Sequence, residues 1–297
     1  MKNSRLKKIV TAMTIVMCMS TPMTVLAQGH GEYPTGEILT FGSDLSDSQE
    51  AELRKYFNAP DNIEAIYVDN KVAAKQLGFD ENQVGTGGWY SSAYVKLKAE
   101  ESGVTVKSNK LTVVTNDMLA NALITSGIYN AEVNASAPFD VTGESALAGI
   151  LAGAEKIMGG ELKTQNKQAA QEEIEVSMDL AEEVGQTEAA AVINDVKTKV
   201  IKEKPKTDEE ISKIVDETSK KYDINITNET KEQIVVLMNK INDLDIDYDA
   251  VKDVLSETAS KFKDELAALG KQLQDSGFFD RLFAWVKDLF NSIFNKE

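Results

Sequence analysis

The stretch TGESALAGILAGAEKIMGG, residues 142–160, divides the chain into two kinds of sequence. Leu147, Ile150, Leu151, Ala154, Ile157 and Met158 recur at helical spacing, so the segment reads as one helix with an apolar face. Thr142 is positioned to open it, and the small residues between the apolar ones allow close packing. Gly159-Gly160 then stops it, and the composition changes beyond that point. Upstream, short β-rich runs alternate with helical ones. Downstream, Glu, Lys, Ala and Gln dominate with helical periodicity alone. The fold class is therefore α+β: a mixed N-terminal domain over residues 37–160, followed by a C-terminal helical bundle over residues 161–275.

In the upstream half, strands are expected at residues 38–41, 63–68, 91–98, 104–107 and 132–135, with 111–114 as a strand edge. The runs 91–98 and 104–107 flank Ser102-Gly103 and are expected to pair with each other. Ser46 with Gln49 reads as a capping box opening a helix to Phe57, and Thr115 caps another running to about Ser126. In the downstream half, Ile174, Met178, Ala181, Val192, Val196 and Val200 mark one long helix or two, broken near Gly185. Thr207 with Glu210 forms a second capping box. Ile234, Leu237, Met238 and Ile241 mark the next helix, and Val251, Leu255, Phe262, Leu266, Leu269 and Leu273 a longer one.

The chain has 297 residues, with 32 Lys plus Arg against 48 Asp plus Glu, a net charge of −16, one histidine and one cysteine. Such an excess of acid argues against a nucleic-acid partner, which requires a basic stripe to neutralise phosphates. Residues 1–27 read as a secretory signal: Lys2, Arg5, Lys7 and Lys8, then an apolar core too short to span a bilayer, then Val25-Leu26-Ala27. Cleavage near Ala27 would remove Cys18 and four positive charges, leaving a net of −20 and no cysteine. Residues 28–36 read as a flexible lead-in, and His30 between two glycines reads as solvated.

Candidate chemistry is sparse. Gly143-Glu144-Ser145 lacks the second glycine of a nucleophile elbow. Asp243, Asp245, Asp247 and Asp249 alternate as in a calcium loop, but Ala250 stands where glycine is needed, so helix capping is the better account. Trp89 and Tyr90, after the Gly85–Gly88 loop, either stack on a sugar ring or begin a buried strand. No cofactor and no metal site is expected.

The last segment, residues 276–297, carries Phe279, Leu282, Phe283, Val286, Leu289, Phe290 and Ile293 on one face of an amphipathic helix. Three readings stay open for it: docking on its own bundle, association with another chain, or peripheral contact with a membrane.

Four ordered motifs carry a resemblance. They are Gly42-Ser43-Asp44-Leu45 with Gln49 and Phe57, Tyr90-Ser91-Ser92-Ala93, Asn121-Ala122-Leu123-Ile124-Thr125-Ser126-Gly127-Ile128, and Pro138 with Val141-Thr142-Gly143-Glu144-Ser145-Ala146-Leu147. Together they resemble the YpuA-like family of secreted Gram-positive proteins carrying a domain of unknown function. The resemblance implies an exported envelope protein and brings no catalytic residues with it. Thr115, Thr142, Gly143, Glu144 and Ser145 either specify packing or present helix-start amides to one cleft that holds an anionic or carbonyl group. The function expected is thus a secreted, non-enzymatic binding module contacting an envelope protein or cell-wall polymer. A carboxylate-dependent wall hydrolase and a membrane-docked envelope protein are the alternatives.

Overall fold

The computed structural model describes residues 34–270 apart from Val84, Thr86 and Asp245. The expected signal with His30, and the aromatic segment from Phe279 to Ile293, lie outside the described residues. The upstream half runs β1 (Gly36–Gly42), α1 (Asp47–Phe57), β2 (Ala65–Val68), α2 (Asn70–Leu77), β3 (Ser92–Leu97), β4 (Val104–Leu111), α3 (Asn116–Ser126), β5 (Ala131–Val141) and α4 (Ala146–Met158). Five helices follow: α5 (Thr164–Val184), α6 (Gln186–Glu203), α7 (Asp208–Tyr222), α8 (Asn228–Asp243) and α9 (Tyr248–Gly270). The class is α+β.

The strands form one mixed sheet in the order β2-β1-β3-β5-β4. β1 is parallel to β2, β4 is parallel to β5, and β3 runs antiparallel to both β1 and β5. The expected pairing of 91–98 with 104–107 is therefore wrong, because β5 lies between them. Ala131, Val133 and Ala135 of β5 align with Leu97, Val95 and Ala93 on one side and with Val104, Val106 and Ser108 on the other. A strand with that much core-facing apolar surface belongs inside the sheet rather than at its edge. The side chain of Asn130 also accepts the amides of Ser102 (2.9 Å) and Gly103 (3.2 Å), tying the β3–β4 loop to the start of β5.

Local signals set several helix boundaries. The Ser46–Gln49 box is complete, and Thr115 accepts the amide of Met118 at 3.2 Å. Thr207 accepts from Glu210 at 3.3 Å, but the Glu210 carboxylate reaches back to the amide of Lys206 (2.6 Å), one residue earlier than a capping box requires. Gly185, at φ 101°, separates α5 from α6, so the long helical stretch is two helices. Asp247 accepts the amide of Asp249 (2.9 Å) where α9 begins, with Leu244 and Ile246 buried beside it. Thr142 does not open α4. Its carbonyl takes the amides of Val113 (3.2 Å) and Val114 (3.0 Å), Gly143 turns the chain at φ 99°, and the helix starts at Ala146.

Side-chain alternation along β1 and β3 sorts the layers. Leu39, Phe41 and Tyr94 face α1, with Leu53 and Phe57, in a small cluster of their own. Ile38, Ala93 and Val95 face α4 on the opposite side. There the small residues of the 142–160 stretch matter: a Cβ on Gly153 would stand 2.9 Å from Thr40 Cγ2 and 3.0 Å from Ile38 Cγ2. α5 then packs on α3, and α6 sits among α5, α7, α8 and α9. One apolar cluster extends from Ile38 in the sheet to Phe262 in α9.

Candidate functional site

Four strands, β1, β2, β4 and β5, end at the same side of the sheet, and α1, α2, α3 and α4 begin there. This is the side where open α/β sheets commonly bind ligands. Three of the four family motifs meet at it. The Asp44 carboxylate, just past β1, accepts the amides of Gly88 (2.6 Å) and Trp89 (3.0 Å), and the Asp44 amide donates to the Trp89 carbonyl (3.2 Å). Gly42 donates to Ser92 Oγ (3.4 Å), and Ser92 Oγ donates to the carbonyl of Tyr90 (3.3 Å). Ser145 Oγ donates to Ser91 Oγ at 3.0 Å, joining the start of α4 to the lead into β3.

The aromatic pair divides its duties. Trp89 is buried in the core, with its Nε1 donating to the carbonyl of Gly85 (3.2 Å), so it offers no open ring face to a sugar. Tyr90 is half-buried and meets Phe139 edge to face, with ring centroids 4.8 Å apart. Phe139 is 44% exposed. What remains accessible is a Tyr90–Phe139 surface beside the Ser91–Ser145 hydroxyl pair, with Glu144 and Thr142 exposed nearby.

The idea of two helix starts sharing a cleft is answered in part by these bonds. The amides before α3 are occupied by Thr142, and Gln186 Nε2 closes over the carbonyls of Thr112 (3.1 Å) and Val113 (3.2 Å). Ser145 makes no side-chain cap on α4, since its hydroxyl is engaged with Ser91. A cavity of about 90 Å³ lies elsewhere, between β4, α3 and α9, and is lined by Val104, Thr105, Asn116, Asp117, Thr258 and Lys261. None of the sequence-selected residues lines it. Among the described residues, no three His, Cys, Asp or Glu side chains are grouped to hold a metal ion.

Sequence reasoning missed the charges buried between the layers. Lys197 on α6 is fully buried and donates to Glu173 Oε1 (2.7 Å), the carbonyl of Asn121 (2.9 Å) and Thr125 Oγ1 (3.1 Å). Thr125 in turn donates to the other oxygen of Glu173. Burial pulls the Lys197 pKa down, and the Glu173 carboxylate opposes that. Lys167 on α5 donates to Glu155 (2.9 Å) and Gln76 (3.2 Å), while Gln76 Nε2 donates to the second Glu155 oxygen (2.8 Å). Asp195 accepts from Lys221 at 2.8 Å, and burial pushes its pKa up against the pull of Lys221 and Lys199. On α6 every residue from Ala189 to Thr198 is buried, which the single apolar stripe Val192, Val196 and Val200 did not indicate. A helix enclosed on all sides must pair its polar residues internally.

These features define a class: an α+β protein with one mixed sheet, in which buried lysine–carboxylate pairs join helix to helix, α5 to α4 and α5 to α6. The chain belongs to the family described as Protein of unknown function (DUF1002), whose family model matches residues 41–258. It is similar to "Uncharacterized protein YpuA" of Bacillus subtilis (strain 168), at 30% identity over 259 residues, covering 86% of this chain and 88% of that protein. No solved structure matches it.

Proposed function

We propose that this protein is exported and acts at the cell envelope as a binding module without catalytic activity, its contact surface being the carboxyl end of the sheet. The observation that carries the reading is the Tyr90–Phe139 ring pair, accessible beside the Ser91–Ser145 hydroxyls on a scaffold fixed by Asp44. Rings supply apolar area at little conformational cost, and hydroxyls supply orientation. Export is supported by the basic and then apolar character of residues 1–27. A peripheral membrane role is favoured by one separate observation, the three- and four-residue spacing of Phe279, Leu282, Phe283, Val286, Leu289, Phe290 and Ile293 in the sequence.

Sedimentation of the purified protein with isolated cell walls and, separately, with lipid vesicles tests these readings. Wall retention should fall about tenfold in Tyr90→Ala and Phe139→Ala, equivalent to ~1.4 kcal/mol, in variants whose circular dichroism shows the fold retained. Retention insensitive to both substitutions removes this surface from the function. Clearing of a peptidoglycan gel would replace the module by a wall hydrolase. Vesicle binding lost on deleting residues 276–297 would move the contact to the tail.

A further inference from the structure

Gln76 of α2, Glu155 of α4 and Lys167 of α5 meet in a cluster whose side chains are 4%, 8% and 2% exposed, so bulk water is kept from it. Their hydrogen bonds form a closed ring. Lys167 Nζ donates to Glu155 Oε1 (2.9 Å) and to Gln76 Oε1 (3.2 Å), and Gln76 Nε2 donates to Glu155 Oε2 (2.8 Å). An ammonium only donates and an ionised carboxylate only accepts, so these partners fix which way the carboxamide points. The surrounding chain holds the ring in place. The amide of Leu162 donates to Glu155 Oε1 (2.9 Å), and Gln168 Nε2 donates to the carbonyl of Gly78 (2.9 Å) at the end of α2. There α2 and α5 approach so closely that a Cβ on Gly78 would stand 2.3 Å from Gln168 Cγ.

This ring differs in its chemistry from the Lys197 cluster. Besides Glu173, Lys197 meets a backbone carbonyl and a hydroxyl, which offer an amine no side-chain carbonyl carbon to attack. Lys167 faces a primary carboxamide. With Nζ 3.2 Å from Oε1 and a C=O bond of about 1.23 Å, Gln76 Cδ lies roughly 3.4–4.4 Å from the amine. A small side-chain rotation closes that to the ~3–3.5 Å of a near-attack geometry. The one carboxylate that touches the nucleophile also touches the nitrogen that would leave.

We propose that this ring is the site of a self-catalysed cross-link, in which Lys167 Nζ displaces the amide nitrogen of Gln76 to form an isopeptide bond between α5 and α2. Glu155 takes a proton from the Lys167 ammonium and frees its lone pair. The amine attacks Gln76 Cδ and the Nζ–Cδ bond forms. The Glu155 carboxyl group then delivers the proton to Nε2, the Cδ–Nε2 bond breaks, and ammonia departs. The second proton shed by Nζ passes through Glu155 to that ammonia, which leaves as ammonium, and the carboxylate is regenerated. No oxidant or cofactor is consumed. Well-oriented groups within one molecule reach effective molarities of about 10⁵–10⁸ M, and exclusion of water prevents competing hydrolysis.

The bond would join residues 91 positions apart in a chain whose single cysteine allows no internal disulfide. It would restrain the unfolded chain as a long-loop disulfide does. The proposal is independent of the contact surface around Tyr90 and Phe139.

Intact mass spectrometry of the purified full chain, followed by tandem analysis of its digest, is the test. The parent should be lighter than its sequence by one molecule of ammonia. An N-terminal Gln28 exposed by signal cleavage would also lose ammonia on cyclising, so the digest must place the deficit in a branched peptide joining the residues around Gln76 to those around Lys167. Lys167→Met, Gln76→Leu and Glu155→Gln should each restore the full mass at this site, a readout that holds whether or not the variant is as stable as the parent. A parent of full mass, a deficit placed elsewhere, or a branched peptide surviving in any of the three variants would overturn the proposal.

Discussion

Gly42 shows how much one residue carries at the carboxyl end of the sheet. A Cβ there would stand 1.9 Å from the Trp89 carbonyl oxygen and 2.4 Å from its carbon, backbone atoms that cannot turn aside. That same carbonyl accepts the Asp44 amide, and the Asp44 carboxylate holds the Gly88 and Trp89 amides. Gly42→Ala must therefore push the Trp89 loop off β1 and break those bonds together. A loss of about 2–4 kcal/mol in urea unfolding is expected, together with greater exposure of Trp89 in its fluorescence. A variant as stable as the parent would show that the loop moves freely. The motif Gly42-Ser43-Asp44 was visible as a resemblance, but its reason was not, because the atom that forbids a side chain comes from a residue 47 positions away. Trp89 illustrates the same limit. Its type suits a sugar platform as well as the commoner core position, and burial assigns it to the core.

At the scale of elements, features with local causes were legible and those set by distant partners were not. The caps of α1 and α3 and the break at Gly185 depend on neighbours within a few residues, and the sequence reading found them. Strand order was misread because turn signals between β3 and β4 say nothing about a later strand inserting between them. The Lys197–Glu173 pair was invisible for a related reason: its residues lie on separate helices, and Val192, Val196 and Val200 describe only one side of α6. Its energetics can now be argued. Removing one partner strands a buried charge, so Glu173→Gln or Lys197→Met should destabilise by about 3–5 kcal/mol. Replacing both as Glu173→Leu with Lys197→Met removes the desolvation cost on each side and should recover most of that loss. Chemical denaturation of the two singles and the double decides it. If the double is as unstable as the worse single, the pair is held by Thr125 and Asn121 as a network and not as an isolated ion pair.

The whole molecule turns on α3, which lies between the sheet and the helical layer. All ten residues from Asp117 to Ser126 are buried, so each side of this helix is covered by another element. α5 covers one side and α6 reaches it through Asn121 Nδ2 to the carbonyl of Ala190 (3.0 Å). α9 then returns to β4, where Lys261 Nζ donates to the carbonyl of Val104 at 2.8 Å. The composition change at Gly159-Gly160 marks a change of secondary structure, yet the apolar cluster crosses it without interruption. A fragment of residues 34–160 would expose the apolar and polar sides of α3 together, leaving Asn121 and Thr125 without their Lys197 and Glu173 partners. It should therefore bind a hydrophobic dye and melt without a sharp transition, as a loosely packed state does. The complete chain should instead unfold in one calorimetric transition, with calorimetric and van't Hoff enthalpies in agreement. Two resolved transitions, or a fragment that melts cooperatively by itself, would mean that the sheet half and the helical half are stable apart. The buried ion pairs would then be fastening two finished units instead of completing one.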